Sequence, residues 1–132
     1  MTTDLLETID LLKWKVIFIS GPYRSGNGEY HIRENIRRAE DAALQVWLLG
    51  AVALCPHKNT AFFGGAYALP DSVWLAGDII LLSKCDAILM IDGWQDSQGA
   101  LIEYEYARDK LGIPVFTDIS DLRDWLIGDE NG

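Results

Sequence analysis

The residues best placed to do chemistry lie in one stretch, Cys85-Asp86-Ala-Ile-Leu-Met-Ile-Asp92-Gly-Trp-Gln-Asp-Ser97-Gln-Gly99-Ala-Leu-Ile-Glu103-Tyr-Glu-Tyr-Ala107. A short apolar run ends at Asp92-Gly93, passes through a small-residue turn and enters a helix whose second turn carries Glu103. That order sets a carboxylate near a helix N-terminus at the end of a buried strand, the edge where open α/β sheets bind ligands. Helical spacing turns Glu103 toward packed structure, beside Gly99, Ala100, Tyr106 and Ala107, while Glu105 projects into water. The plainer alternative is a carboxylate that only complements the helix dipole.

Asp78 is the second acid of interest. It interrupts Val73-Trp74-Leu75-Ala76-Gly77-Asp78-Ile79-Ile80-Leu81-Leu82, with Trp74 four residues before it and Leu82 four after. A charge in such a stripe costs free energy unless it is paired or functional, so a raised pKa is expected. Otherwise Asp78 lies on the edge of the stripe and bonds a loop. Asp86 and Asp92 bracket the apolar run; Asp86 reads as a structural turn residue, and Asp92, at the C-terminal end, enters the candidate site. Asp92, Asp96 and Glu103 have no spacing that requires a metal. His31 and His57 form no triad pattern with a Ser or Cys.

A further loop, Ser20-Gly-Pro-Tyr-Arg-Ser-Gly-Asn-Gly28, combines glycines, hydroxyls and one arginine ahead of a helix N-terminus, where free N–H groups favour an anion. It has neither the lysine of a P-loop nor the glycine pattern of a dinucleotide fold, and alone it could be an ordinary strand-to-helix turn. The net charge of −9 argues against a nucleic-acid polymer as partner. Arg24, Arg33, Arg37 and Arg38 nevertheless cluster, while Asp118 to Glu130 is acidic. A local basic spot on an acidic chain suits a small anionic ligand.

The elements that position these residues follow from periodicity. The 132 residues, 49% of them apolar, suit one globular domain. No apolar run has the length of a membrane span, and the acidic N-terminus lacks the order of a secretory signal. Cys55 and Cys85 lack metal-ligand spacing, so reduced thiols and a cytoplasmic location are expected. Residues 4–12 form a short helix within an N-terminal extension over 1–14, and 128–132 is a polar tail. Strands are expected at 15–19, 51–55, 87–91 and 114–117. Helices are expected from the end of the first loop to about Leu49, from 70 to 83, from 98 to 111 and from 120 to 127. Ile32, Ile36, Ala39, Ala43 and Trp47 mark the buried face of the long helix, and Gly50 and Gly112 are stops. The loop 57–69 is aromatic and glycine-rich (Phe62, Phe63, Gly64, Gly65, Tyr67) and long enough to suggest a function.

Strands that are continuously apolar and alternate with helices imply a parallel sheet covered on both faces: a single-domain α/β fold, flavodoxin-like or Rossmann-like, of 4–5 strands. With strand 1 between strands 2 and 3, the loops 20–28 and 92–98 flank one crevice.

Together these pieces resemble the nucleoside 2-deoxyribosyltransferase-like family, which includes the 2′-deoxynucleoside 5′-phosphate N-hydrolases. The resemblance rests on Ile-Ser-Gly-Pro-Tyr-Arg-Ser at 19–25, on Asp78 eight residues before Asp86, and on Gly-Trp-x-x-Ser97-x-Gly99-Ala-x-x-Glu103 with Ala107 one turn later. It spans roughly residues 15–117. It implies that Glu103 attacks the anomeric carbon of a sugar, releasing the base and leaving a glycosyl-enzyme that water or an acceptor base resolves. It implies that Asp78 holds the sugar hydroxyl side or assists protonation of the base. Gly21, Tyr23, Arg24, Ser25 and Ser97 would bind the 5′-phosphate, with Asp92 and Gly99 completing the substrate pocket.

The expected function is therefore an N-glycosidase acting on a (deoxy)nucleoside 5′-monophosphate, without metal or organic cofactor. The partner is a small nucleotide or nucleoside rather than a nucleic-acid polymer or a membrane, and the resemblance implies a homodimer or higher homo-oligomer. The alternatives are a base-exchanging deoxyribosyltransferase and a non-catalytic sensor of a nucleotide ligand.

Overall fold

The structure, a computed structural model, describes residues 3–11, 15–22, 28–56 and 71–131. Helix α1 (Thr3–Leu11) precedes β1 (Val16–Ser20), α2 (Gly28–Leu48), β2 (Val52–Leu54), α3 (Asp71–Leu82), β3 (Ala87–Met90), α4 (Gln98–Glu105), β4 (Val115–Phe116) and α5 (Ile119–Asn131). The four strands form one sheet in the order β2-β1-β3-β4. All its neighbours are parallel, as the continuously apolar strands require.

Alternation along β1 divides the core. Ile17 and Ile19 pack with Ala39 and Val46 of α2 and Leu122 and Leu126 of α5. Phe18 packs on the other face with Leu82 of α3 and with Ala100 and Ala107. Residues 16, 18 and 20 share that second face, so Ser20 belongs to the side covered by α3 and α4. The register sets Ser20 opposite Met90, and the Ile91 N–H donates to the Ser20 carbonyl at 2.8 Å beyond the last paired residues. Strands β1 and β3 thus leave the sheet side by side.

Local chemistry fixes the element ends. The helix α2 stops at Gly50, whose φ of 86° a side chain would resist, and Gly112 at φ 64° ends the helical segment after Glu103. Ser97 caps α4, its Oγ accepting from the Ala100 N–H at 3.2 Å. Asp86 is structural as expected: it accepts from the Val16 N–H at 2.8 Å through Oδ2 and donates its own N–H to the Val16 carbonyl.

Two details depart from the sequence pattern. The segment 98–111 is not one uniform helix, because Tyr106–Leu111 widens into a π-helix. The inward face of α2 includes Ile36, Ala39 and Val46, while Trp47 is 44% exposed. Two successive four-residue steps from Ala39 to Trp47 overrun a helix of 3.6 residues per turn, which brings Val46 inward in place of Trp47. The expected face position Ile32 carries a side chain outside the described part. Among the described residues no helix is long and apolar enough to cross a membrane.

Candidate active site

Glu103 lies one turn into α4, on the face turned toward the sheet, and is only 6% exposed. Its partner is Ser20, the last residue of β1, which is fully buried. The Ser20 hydroxyl donates to Glu103 Oε1 at 2.6 Å, a bond that joins residues 83 positions apart. That separation is in the range of a hydroxyl donating to a carboxylate. Oε2 accepts no hydrogen bond from a described residue. One oxygen of the carboxyl is therefore held, and the other has no partner among the described residues.

Burial pushes the Glu103 carboxyl up to about 8; the Ser20 hydrogen bond opposes that rise, and the negative charge of Asp78 adds to it. Asp78, half-buried on α3, is itself pushed up to about 6 by loss of solvent. Among the described residues Asp78 has neither a hydrogen-bond nor an ion-pair partner. Two acids that influence one another and bracket neutrality can hold one proton between them near pH 7. A sheet face that otherwise buries Phe18, Ile88 and Met90 gains no stability from such a pair.

The strand exits that flank the site are packed against each other. A Cβ on Gly21 would collide with Ile91 Cγ1, so that glycine is required by close approach of the chain after β1 to the chain after β3. Gly93, at φ 90°, likewise leaves only 3.2 Å between a Cβ and the Pro22 ring. The expectation that Gly21 serves approach to a ligand thus has a second reading, internal packing. Gly99 differs: among the described residues nothing lies within 4 Å of where its Cβ would be.

Asp78 on α3 lies near enough for its charge to act on Glu103, and Ser97 and Gly99 share the region of the helix that carries Glu103. Asp92 is exposed instead, and lines a shallow depression of about 330 Å³ with Arg38, Asp41, Gln45 and Thr117, among others. Arg33, Arg37 and Arg38 are exposed along α2, so the basic cluster does not gather at Glu103 among the described residues. Tyr23, Arg24, Ser25, His57 and the aromatic loop 57–69 lie outside the described residues. Glu105 is exposed, as its helical position requires.

The residue that sequence reasoning passed over is Ser20. In the sequence it reads as one of the hydroxyls of the first loop, yet it ends the strand on the same face as Phe18. A polar residue at the last inward position of an apolar strand was the signal. Cys85 has a thiol pushed up to about 12, first by burial and then by the charge of Asp86, so it stays a thiol and donates to the Leu81 carbonyl. Among the described residues no group of three His, Cys, Asp or Glu side chains is disposed to hold a metal ion.

Fold and site together define a parallel α/β domain with an acidic pair at the C-terminal edge of its central strands. Residues 15–117 match the domain of unknown function DUF4406, and the chain belongs to that family. No curated protein matches it.

Proposed function

We propose that the protein is an N-glycosidase that cleaves the base–sugar bond of a nucleoside or deoxynucleoside 5′-monophosphate through a glycosyl ester of Glu103. The observation that carries this reading is the buried Glu103, held through one oxygen by Ser20 and set beside the protonatable Asp78. The resemblance to nucleoside 2-deoxyribosyltransferase-like proteins supplies the substrate class. In the first step a Glu103 oxygen bonds to C1′ as the C1′–N bond breaks. The bonding electrons leave with the base, which takes a proton from Asp78. In the second step water attacks C1′, gives its proton to the Asp78 carboxylate and frees Glu103. The two values place the pair's single proton on Glu103 near pH 7, so the reactive form, with Asp78 protonated and Glu103 ionised, is the minor arrangement of that proton.

Ser97 and Gly99, whose Cβ position meets no described residue within 4 Å, sit at the N-terminus of α4, where an anionic group of the substrate would be favoured. Gly21, Tyr23, Arg24 and Ser25 would complete the phosphate pocket from the first loop. Self-association fits the exposed Leu5, Leu6 and Leu11 on α1 and Leu44, Trp47 and Leu48 on α2.

A second reading is favoured by one observation. A carboxyl pushed up to about 8 is protonated at neutral pH and can donate a hydrogen bond, which suits recognition without turnover. These two readings and the base-exchanging transferase separate on incubation with nucleosides and 5′-monophosphates, ribo and deoxyribo, with and without a free acceptor base. Release of base from monophosphates, lost in Glu103→Gln, supports the hydrolase. Exchange only in the presence of an acceptor indicates the transferase, and ligand-induced thermal shifts without product indicate the sensor.

A further inference from the structure

We propose that Ser20 is the positioning residue of this reaction: its hydroxyl, fixed at the end of β1, holds Glu103 Oε1 and reserves Oε2 for the bond to the sugar. The inference rests on the N-glycosidase reading for its chemistry and on geometry for its residue. A glutamate side chain has three rotatable bonds, and a buried one without a partner would sample orientations that miss the anomeric carbon. Ser20 restricts that freedom because its own backbone is held in the sheet. It is fully buried, its carbonyl accepts from the Ile91 N–H at 2.8 Å, and its strand pairs with β2 on one side and β3 on the other. The neighbouring Gly21 keeps the chain close to Ile91, so the hydroxyl cannot retreat along the strand exit.

The same bond has an electrostatic consequence. Of the groups around Glu103, Ser20 on β1 favours the ionised carboxylate, whereas burial and the Asp78 charge from α3 oppose it. Among the described residues no cation contributes. Ser20 is thus the neighbour that lowers the cost of forming the nucleophilic anion.

Ser20→Ala and the near-isosteric, weakly donating Ser20→Cys test this. The readout is a titration of the Glu103 carboxyl carbon by NMR, assigned by its loss in Glu103→Gln, together with kcat and KM for base release. The midpoint of Glu103 is expected to rise by about one to two pH units in Ser20→Ala, with Ser20→Cys between, because a hydrogen bond to a charged group is lost. At pH 7 kcat should fall by about ten- to a hundredfold, while KM stays within about threefold. An unmoved midpoint in both variants overturns the proposal, and so does a moved midpoint with unchanged kcat. If the unaltered protein releases no base from any substrate, the N-glycosidase reading fails. The titration then decides by itself whether Ser20 governs Glu103.

Discussion

The two faces of the sheet share the same strands but bury different chemistry. Toward α2 and α5 an apolar cluster dominates, in which Ile17, Ile19, Val46, Leu89, Leu122 and Leu126 pack together, with Asn35 of α2 as a buried polar residue. Toward α3 and α4 the equivalent layer of Phe18, Ile88 and Met90 runs out at Ser20, and Glu103 and Asp78 take over. One face is what a stable domain needs. The other carries two acids whose ionisation burial opposes, an arrangement that costs stability and is expected where function requires it.

The largest effect should come from breaking the polar face. Glu103→Gln keeps the shape and an acceptor for Ser20 but removes the nucleophilic anion; base release should fall at least about a thousandfold by chromatography. Breaking the apolar face should do the reverse. Leu122→Ala, at a fully buried position, should cost about 2–5 kcal/mol in denaturant unfolding and leave kcat per folded molecule unchanged.

The pH dependence of stability sharpens the contrast. Glu103 is raised from 4.5 to about 8 on folding, so between those values the folded chain holds a proton that the unfolded chain has released. Stability must therefore fall as pH rises through that window and level off above it. Glu103→Gln lacks this titration. It should match the unaltered protein near pH 4 and exceed it by on the order of 4 kcal/mol above pH 8, measured as unfolding free energy across pH. Asp78 adds a change of the same sign between 3.8 and about 6 in both proteins. The rate of base release should correspondingly trace a bell between about 6 and about 8, with limbs belonging to the pair.

The smallest effect on stability is expected at Gly99. Alanine meets nothing within 4 Å among the described residues and favours the helix, so Gly99→Ala should stabilise by up to about 1 kcal/mol. If substrate lies against that position, the same change should raise KM; an unaltered KM would place the substrate elsewhere.

The fold was legible because its strands are continuously apolar and its stops are explicit. Val16–Ser20 and Ala87–Met90 lie within a residue of the expected ranges, and Gly50 and Gly112 end their helical segments as read. Asp78 was legible as a charge in an apolar stripe, and Glu103 as an inward carboxylate on α4. The Ser20–Glu103 bond was not, since it spans 83 residues and depends on the register of β1 against β3. Asp92 shares the strand end with the site, yet its exposure among Arg38 and Asp41 could not be read from position alone. The π-helix at Tyr106–Leu111 also left no mark in the hydrophobic spacing.

The central claim is that Glu103 bonds to the sugar, and a covalent adduct tests it most directly. The protein would be incubated with a 2′-fluoro-arabino nucleoside 5′-monophosphate, whose fluorine slows hydrolysis of the ester by disfavouring positive charge at C1′, and then digested for mass spectrometry. The account predicts that the peptide bearing Glu103 gains the mass of the fluorinated sugar phosphate, and that Glu103→Gln gains nothing. Base release at full rate from the ordinary substrate by Glu103→Gln, with no adduct on either protein, would contradict it.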